Sequence, residues 1–348
     1  MLICKVRGVV GKYGSGEKAV LFVEKSRYRL PELEGGVWVN TPPLTAERLR
    51  GRVVLVDFWD YTCINCIRTL PYLVEWYRRY EPLGLTIVGV HAPEFPFSAE
   101  TGNVLRAIER FGISYPVVLD NDYVLWRAFS NRYWPAKYLA DKDGFIRYVH
   151  FGEGNYAECE MAIQLLLREI SPEAPMPDIM RPIRDTDIPG IQCYRPTPEL
   201  YFGSARSPFE ATDGGPVIFE LPERLEEDRI YLEGSWEVKP QYARPLPPRG
   251  MSASVHVICS ASEVNVVVNP LEERGFKVRV EVDSAPIASD EAGADVEVEE
   301  DGSSSFTVSE PRMYNVVRSG EFKKRKLTLR TESSSCALYA FTFVGCPV

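Results

Sequence analysis

The sequence predicts an α/β domain followed by an all-β sandwich, and three observations carry that expectation. Between residues 52 and 170 short β-branched runs alternate with segments of helical period. Beyond residue 190 the helical period disappears and apolar residues recur at every second position. Between the two lies a stretch with Pro172, Pro175, Pro177, Pro182 and Pro189, the composition of a linker. A length of 348 residues suits two domains of roughly 100–200 residues each.

Residues 1–30 are expected to form a β-hairpin extension, since apolar segments at 2–10 and 19–23 flank the turn composition of Gly11-Lys12-Tyr13-Gly14-Ser15-Gly16. These glycines do not make a phosphate loop. Glu17 separates Gly16 from Lys18, no Ser or Thr follows the lysine, and no helical pattern comes next. Residues 53–58 (VVLVDF) are a β-branched run, the mark of a strand covered on both faces. A helix follows over 63–80 and stops before Pro82-Leu83-Gly84; Pro71 inside it should kink it. Strands are expected at 85–90 and 116–119, and helices at 100–111 and 123–129. Residues 137–140 and 145–151 flank Asp141-Lys142-Asp143-Gly144, a hairpin turn, and a helix over 158–170 closes the unit.

In the second half Phe276, Val278, Val280 and Val282 alternate with Lys277, Arg279, Glu281 and Asp283, a strand with one wet face. Val255, Val257 and Cys259 alternate likewise, as do Tyr339, Phe341 and Phe343. Several such strands between Gly/Pro/Ser/Asp turns make a sandwich. The boundaries expected are a hairpin extension at 1–30, the α/β domain at 31–172, a Pro-rich linker at 173–190 and the β-sandwich at 191–348.

Composition narrows the function. Forty Lys and Arg against 49 Asp and Glu give a net charge of −9, which speaks against a nucleic-acid partner. No apolar run reaches the ~18 residues of a membrane span, and the amino terminus has no signal-peptide pattern. A cytoplasmic protein is therefore expected, or an extracytoplasmic one if the sequence is part of a longer secreted or membrane-anchored chain. Of eight cysteines only Cys63 and Cys66 are closely spaced; Cys-x-x-Cys in a cytosolic chain is redox or metal chemistry before it is a staple. Cys4, Cys159, Cys193, Cys259, Cys336 and Cys346 are expected to be buried apolar residues or structural disulfides, with no pairing deducible.

The chemistry concentrates in Asp57-Phe58-Trp59-Asp60-Tyr61-Thr62-Cys63-Ile64-Asn65-Cys66. Cys63 follows a strand and opens a helix, where unpaired N–H groups and the helix dipole favour a thiolate. Cys66 lies on the same helical turn, so Cys63 can attack a substrate disulfide and Cys66 can resolve the mixed disulfide. Asp57 sits inside a buried strand, which is costly for an acid unless it serves, here as proton acceptor for the resolving thiol. Trp134-Pro135 precedes the strand at Lys137 and is a candidate cis peptide.

Together these residues resemble the thioredoxin superfamily: the strand Asp, the Trp, the helix-opening Cys-x-x-Cys, a helix Pro eight residues on, and a distal cis-Pro. The resemblance implies that Trp134 and Pro135 line a substrate groove beside the disulfide. The long interval from Cys63 to Pro135 is similar to the inserted strand–helix unit of TlpA-like proteins. Residues 57–72, Gly89-Val90-His91-Ala92-Pro93-Glu94-Phe95, Leu119-Asp120-Asn121-Asp122-Tyr123 and Asn131-Arg132-Tyr133-Trp134-Pro135 resemble the soluble carboxy-terminal part of DipZ-type cytochrome c biogenesis proteins. So do Leu200-Tyr201-Phe202-Gly203 and Ala340-Phe341-Thr342-Phe343. That likeness implies a thioredoxin-like α/β domain followed by a carbohydrate-binding-module-like, jelly-roll-like sandwich. The family's membrane electron-conducting domain has no counterpart here. Thr62 stands where ordinary thioredoxins carry a Trp, so partner recognition should differ.

The expectation is a thiol–disulfide oxidoreductase without cofactor or metal, reducing protein disulfides through Cys63 and Cys66 and served by an unidentified electron donor or acceptor. The alternative is a binding or scaffold protein with a structural Cys-x-x-Cys. Zinc would need two more ligands, and no second Cys-x-x-Cys or His-x-x-x-His exists. A peroxidase would want a Thr three residues before its Cys, whereas Thr62 is adjacent to Cys63. His91 is expected to make a structural hydrogen bond. In the sandwich, Trp236, Tyr231 and Tyr242 could bind sugar, but filling or covering the core is the reading favoured.

Overall fold

The computed structural model describes residues 9–12, 18–21, 28–212, 214–272 and 275–346. The chain forms two compact units that divide between Ile183 and Arg184. In the first, β1 (Val9–Lys12) and β2 (Lys18–Leu21) pair antiparallel, with Val9 opposite Leu21 and Lys12 opposite Lys18. The other apolar positions expected for that hairpin, its turn at 13–17, and Cys4 lie outside the described residues.

A six-stranded sheet follows in the order β3-β6-β5-β4-β7-β8. It is built from β3 (Val37–Val39), β4 (Val53–Trp59), β5 (Leu85–His91), β6 (Val117–Leu119), β7 (Ala136–Ala140) and β8 (Ile146–Phe151). The central pair β4–β5 is parallel, and all seven residues of each strand are buried, as continuous apolar runs require. On one face Val54, Val56, Phe58, Val88, Val90 and Tyr138 pack with Leu125 and Phe129, the latter two from α3 (Val124–Ala128) and its carboxy-terminal cap. α1 (Ile64–Tyr80) and α4 (Tyr156–Ile170) bury Leu70, Leu73 and Trp76, and Ile163, Leu166 and Leu167. α2 (Thr101–Arg110) buries Val104, Ala107 and Ile108. α1 runs unbroken through Pro71; Arg78 and Arg79 in its last turn both pair with Glu75. The sequence pattern foresaw every element of this sheet except β3, whose three residues are too few to show a period.

The Pro-rich stretch differs from a free linker. Gln164 donates to the Pro177 carbonyl at 2.7 Å, the Met180 amide to Glu160 at 2.8 Å and the Ile183 amide to the Tyr72 hydroxyl at 2.7 Å. Proline bars this segment from helix and strand but leaves its carbonyls as acceptors. The first unit therefore continues through Ile183, eleven residues past the expected end at 172.

The second unit is all-β. It comprises β9 (Leu200–Tyr201), β10 (Val217–Phe219), β11 (Ile230–Val238), β12 (Ala243–Pro245), β13 (Ala253–Pro270) and β14 (Phe276–Val282). β15 (Ala285–Pro286), β16 (Glu297–Val298), β17 (Ser304–Val308), β18 (Arg312–Thr331) and β19 (Cys336–Val344) complete it. The eleven strands join in one antiparallel hydrogen-bonded network. The long partners β13 and β18 slip register near Ala261–Asn265, where bulges let a strand bend. Trp236 is 1% exposed and lies in a core with Phe202, Phe306, Tyr314 and Phe341. It is a packing residue, with its indole N–H satisfied by the Glu233 carbonyl. Cys193 and Cys346 form a disulfide. Cys159, Cys259 and Cys336 are buried free thiols.

Candidate active site

The site begins where β4 ends. Its last residues hand the chain to Asp60, Tyr61 and Thr62, and Cys63 then caps α1 with an extended backbone (φ −84°, ψ 115°). The Cys63 sulfur accepts the Cys66 amide N–H at 3.3 Å, one of the donors a helix start leaves unpaired. The two sulfurs are 2.7 Å apart, with Cys63 half-buried and Cys66 only 1% exposed. The outer thiol is thus the one a large client can touch, and the inner one is placed to displace it.

Cys66 holds its proton tightly. Burial pushes its thiol well above the ordinary range, the Cys63 sulfur and then the Asp57 carboxyl push the same way, and a hydrogen bond with the Asp60 backbone opposes them. Asp57 itself is buried, and desolvation raises it from 3.8 to about 7, against the opposing pull of Lys137. That lysine is fully buried on β7 and lies directly opposite Asp57 in the β4–β7 ladder; its ammonium donates to the Gly152 carbonyl at 3.4 Å. Neither carboxylate oxygen of Asp57 has a hydrogen-bond partner among the described residues. On the other side of Asp57, across the parallel β4–β5 ladder, is Gly89. A Cβ there would stand 3.0 Å from both the Trp59 indole nitrogen and the Tyr115 ring. Tyr115, buried, has its phenol pushed upward by desolvation first and then by Asp57 and Cys66.

Trp134-Pro135 is a cis peptide. Its tryptophan donates from the indole to the Ala92 carbonyl at 3.0 Å, packs on Trp126 at 4.2 Å between ring centroids, and is half-buried. Ala92 in turn donates its amide to the Trp59 carbonyl at 3.0 Å. The Trp134 loop and the ends of the parallel strands β4 and β5 are therefore joined at the edge where open α/β sheets place their sites.

The structure thus brings Cys63, Cys66 and Asp57 together and ties Trp134 to the ends of the same strands. His91 departs from expectation. It is fully buried, stacks on Tyr61 and meets Trp59 edge-on, but neither ring nitrogen has a hydrogen-bond partner among the described residues. Burial lowers its proton affinity, and the nearest acid, Asp60, is 3.8 Å away. Lys137, Asp60 and Tyr115 were missed. A lysine in the apolar run Ala136-Lys137-Tyr138-Leu139-Ala140 was the available signal, because a buried cation calls for a nearby acid. Among the described residues no group of three or more His, Cys, Asp or Glu side chains could hold a metal ion.

Residues 31–149 match the AhpC/TSA family, and residues 197–344 match the thioredoxin-like C-terminal domain family. Over 246 residues the chain is 39% identical to protein DipZ of Mycobacterium tuberculosis (strain CDC 1551 / Oshkosh), covering 68% of this chain and 34% of that protein. It thus spans about a third of that relative's length. It is 31% identical over 147 residues to the thiol-disulfide oxidoreductase YkuV of Bacillus subtilis (strain 168), covering 42% of this chain and 98% of YkuV. Among solved structures, a thioredoxin-like protein in its oxidised form is 31% identical, with 40% of this chain and 95% of that one covered and a TM-score of 0.38.

Proposed function

Because the chain belongs to the thioredoxin-like thiol–disulfide oxidoreductases, we propose that it works as a reductant of protein disulfides, with Cys63 as nucleophile and Cys66 as resolving thiol. The Cys63 thiolate attacks one sulfur of a client cystine, a mixed disulfide forms, and the other client sulfur leaves as a thiolate. Asp57 then accepts the Cys66 proton. The freed Cys66 thiolate attacks the Cys63 sulfur, releasing the second client thiolate and leaving a Cys63–Cys66 disulfide. Two electrons pass to the client, and a separate dithiol or other two-electron donor restores the reduced pair.

The observation that carries this reading is the 2.7 Å sulfur pair at the start of α1 with a buried carboxyl behind its inner member. A base poised near neutrality suits proton transfer at physiological pH. The reductive direction is supported by Cys66, whose burial denies its thiolate stabilisation. Trp134 and Pro135 serve as the groove wall, where an extended client strand pairs with main chain and presents its cystine to Cys63. The Cys193–Cys346 disulfide supports an extracytoplasmic setting over the cytoplasmic one, since reducing cytosol opens such bonds.

The test is turnover of insulin disulfides by the reduced protein. Wild type should reduce insulin and Cys63→Ser should not; undiminished turnover by Cys63→Ser moves the chemistry to another residue.

A further inference from the structure

Asp60 has no part in the exchange steps above, yet it is fully buried between β4 and Cys63. An acid in that position is retained only if its oxygens are satisfied. One oxygen accepts the Thr62 amide at 2.7 Å and the Thr62 hydroxyl at 2.5 Å. The other accepts the Glu94 amide at 2.8 Å and the Ser98 hydroxyl at 2.7 Å. The Asp60 main-chain carbonyl takes the Cys63 N–H at 3.3 Å. His91 approaches to 3.8 Å, but burial disfavours its cationic form.

The two oxygens face different walls of the site. The first binds the loop that delivers Cys63. The second binds residues 94 and 98, in the segment that leaves β5 through Ala92, and Ala92 holds the Trp134 indole. One carboxylate therefore bridges the nucleophile loop and the segment on which the Trp134 loop rests. Neither serine nor backbone could span both, because only a carboxylate offers two acceptor oxygens with about four lone pairs.

We propose that Asp60 is a positioning residue that fixes the Cys63 loop against the groove wall carrying Trp134 and Pro135, and so governs how a protein client is presented to the nucleophile. The inference rests on the reading of the chain as a protein-disulfide reductant. It does not assign Asp60 a role in proton or electron transfer. A small disulfide that needs no groove should then be indifferent to it.

The experiment uses the full chain and two disulfides, insulin and the small aromatic disulfide dithiobis(nitrobenzoate), with Asp60→Asn and Ser98→Ala. Asparagine keeps the size but replaces one acceptor oxygen with a donor; Ser98→Ala removes one hydroxyl, with its bonds to Asp60 and Phe95, and keeps the carboxylate, which guards against an unfolded Asp60 variant. In both, kcat/KM for insulin should fall, by roughly tenfold in Asp60→Asn as loop misplacement implies, chiefly through KM. The rate with the small disulfide should stay within about twofold of wild type, and the Cys63–Cys66 redox potential should be unchanged. Equal losses on both substrates, a shifted potential, or no loss on insulin in either variant would overturn the proposal. Wild type inactive on both disulfides would instead overturn the oxidoreductase reading on which it stands.

Discussion

Replacing Asp57 by asparagine should remove a pH dependence from the stability of the first unit while slowing its chemistry. The reason is linkage. Desolvation raises the Asp57 carboxyl from 3.8 to about 7 in the folded protein, so between those values the folded state keeps a proton that the unfolded chain has lost. The folded state binds more protons there, and stability falls as pH rises. Nothing is lost below pH ~3.8, and the whole penalty is present above pH ~7. From 3.8 to about 7, at about 1.36 kcal/mol per pH unit, this amounts to about 4 kcal/mol. An asparagine side chain cannot ionise and escapes that penalty. The stability difference between Asp57→Asn and wild type should grow by about 4 kcal/mol from pH 4 to pH 8 in the reduced protein. Urea unfolding followed by tryptophan emission suits the measurement, because Trp38, Trp59, Trp76, Trp126 and Trp134 lie in the first unit and only Trp236 in the second. A difference that stays constant across this range would show that burial does not raise the Asp57 carboxyl toward neutrality, and the case for it as a base poised near physiological pH would fall with it.

Two further outcomes follow from packing and chain connectivity. Gly89→Ala puts a methyl 3.0 Å from Trp59 and Tyr115 beside Asp57, so it should cost about 1–3 kcal/mol of first-unit stability and lower insulin turnover; unchanged urea midpoints would mean that these rings yield freely. Opening the Cys193–Cys346 disulfide, which spans 153 residues of sequence, should destabilise the second unit by about 5 kcal/mol on chain-entropy grounds. Thermal unfolding of Cys193→Ser, followed by circular dichroism, reads that loss, and an unshifted transition would assign the bond no structural weight.

Much of this was legible in the sequence because it depends on local pattern. The β-branched run at Val53–Trp59 and the Cys-x-x-Cys after it fix a buried strand feeding a helix start, and that pairing already states the chemistry. Asp57 stood out as an acid within an apolar run. The rest depends on which strands become neighbours. Lys137 is 80 residues from Asp57 in sequence and meets it only because β7 pairs antiparallel with β4. Asp60 reads as an ordinary loop residue until Glu94 and Ser98 fold onto it. The anchoring of residues through Ile183 was hidden for a similar reason, since proline content reports an absence of helix and says nothing of side chains such as Tyr72 and Glu160 that bind the segment. In the second unit alternation revealed strands, but their joining into one network through the long strands β13 and β18 is a matter of register.

The measurement closest to the central claim is peptide mapping of the adduct formed when Cys66→Ser meets a disulfide client. With the inner thiol gone, Cys63 can still attack but nothing displaces the client. The expected result is a stable mixed disulfide on the peptide containing Cys63, released by added dithiol. An adduct on Cys159 or Cys193 instead, or no adduct while insulin is still reduced, would contradict the assignment of Cys63 as nucleophile and Cys66 as its resolving partner.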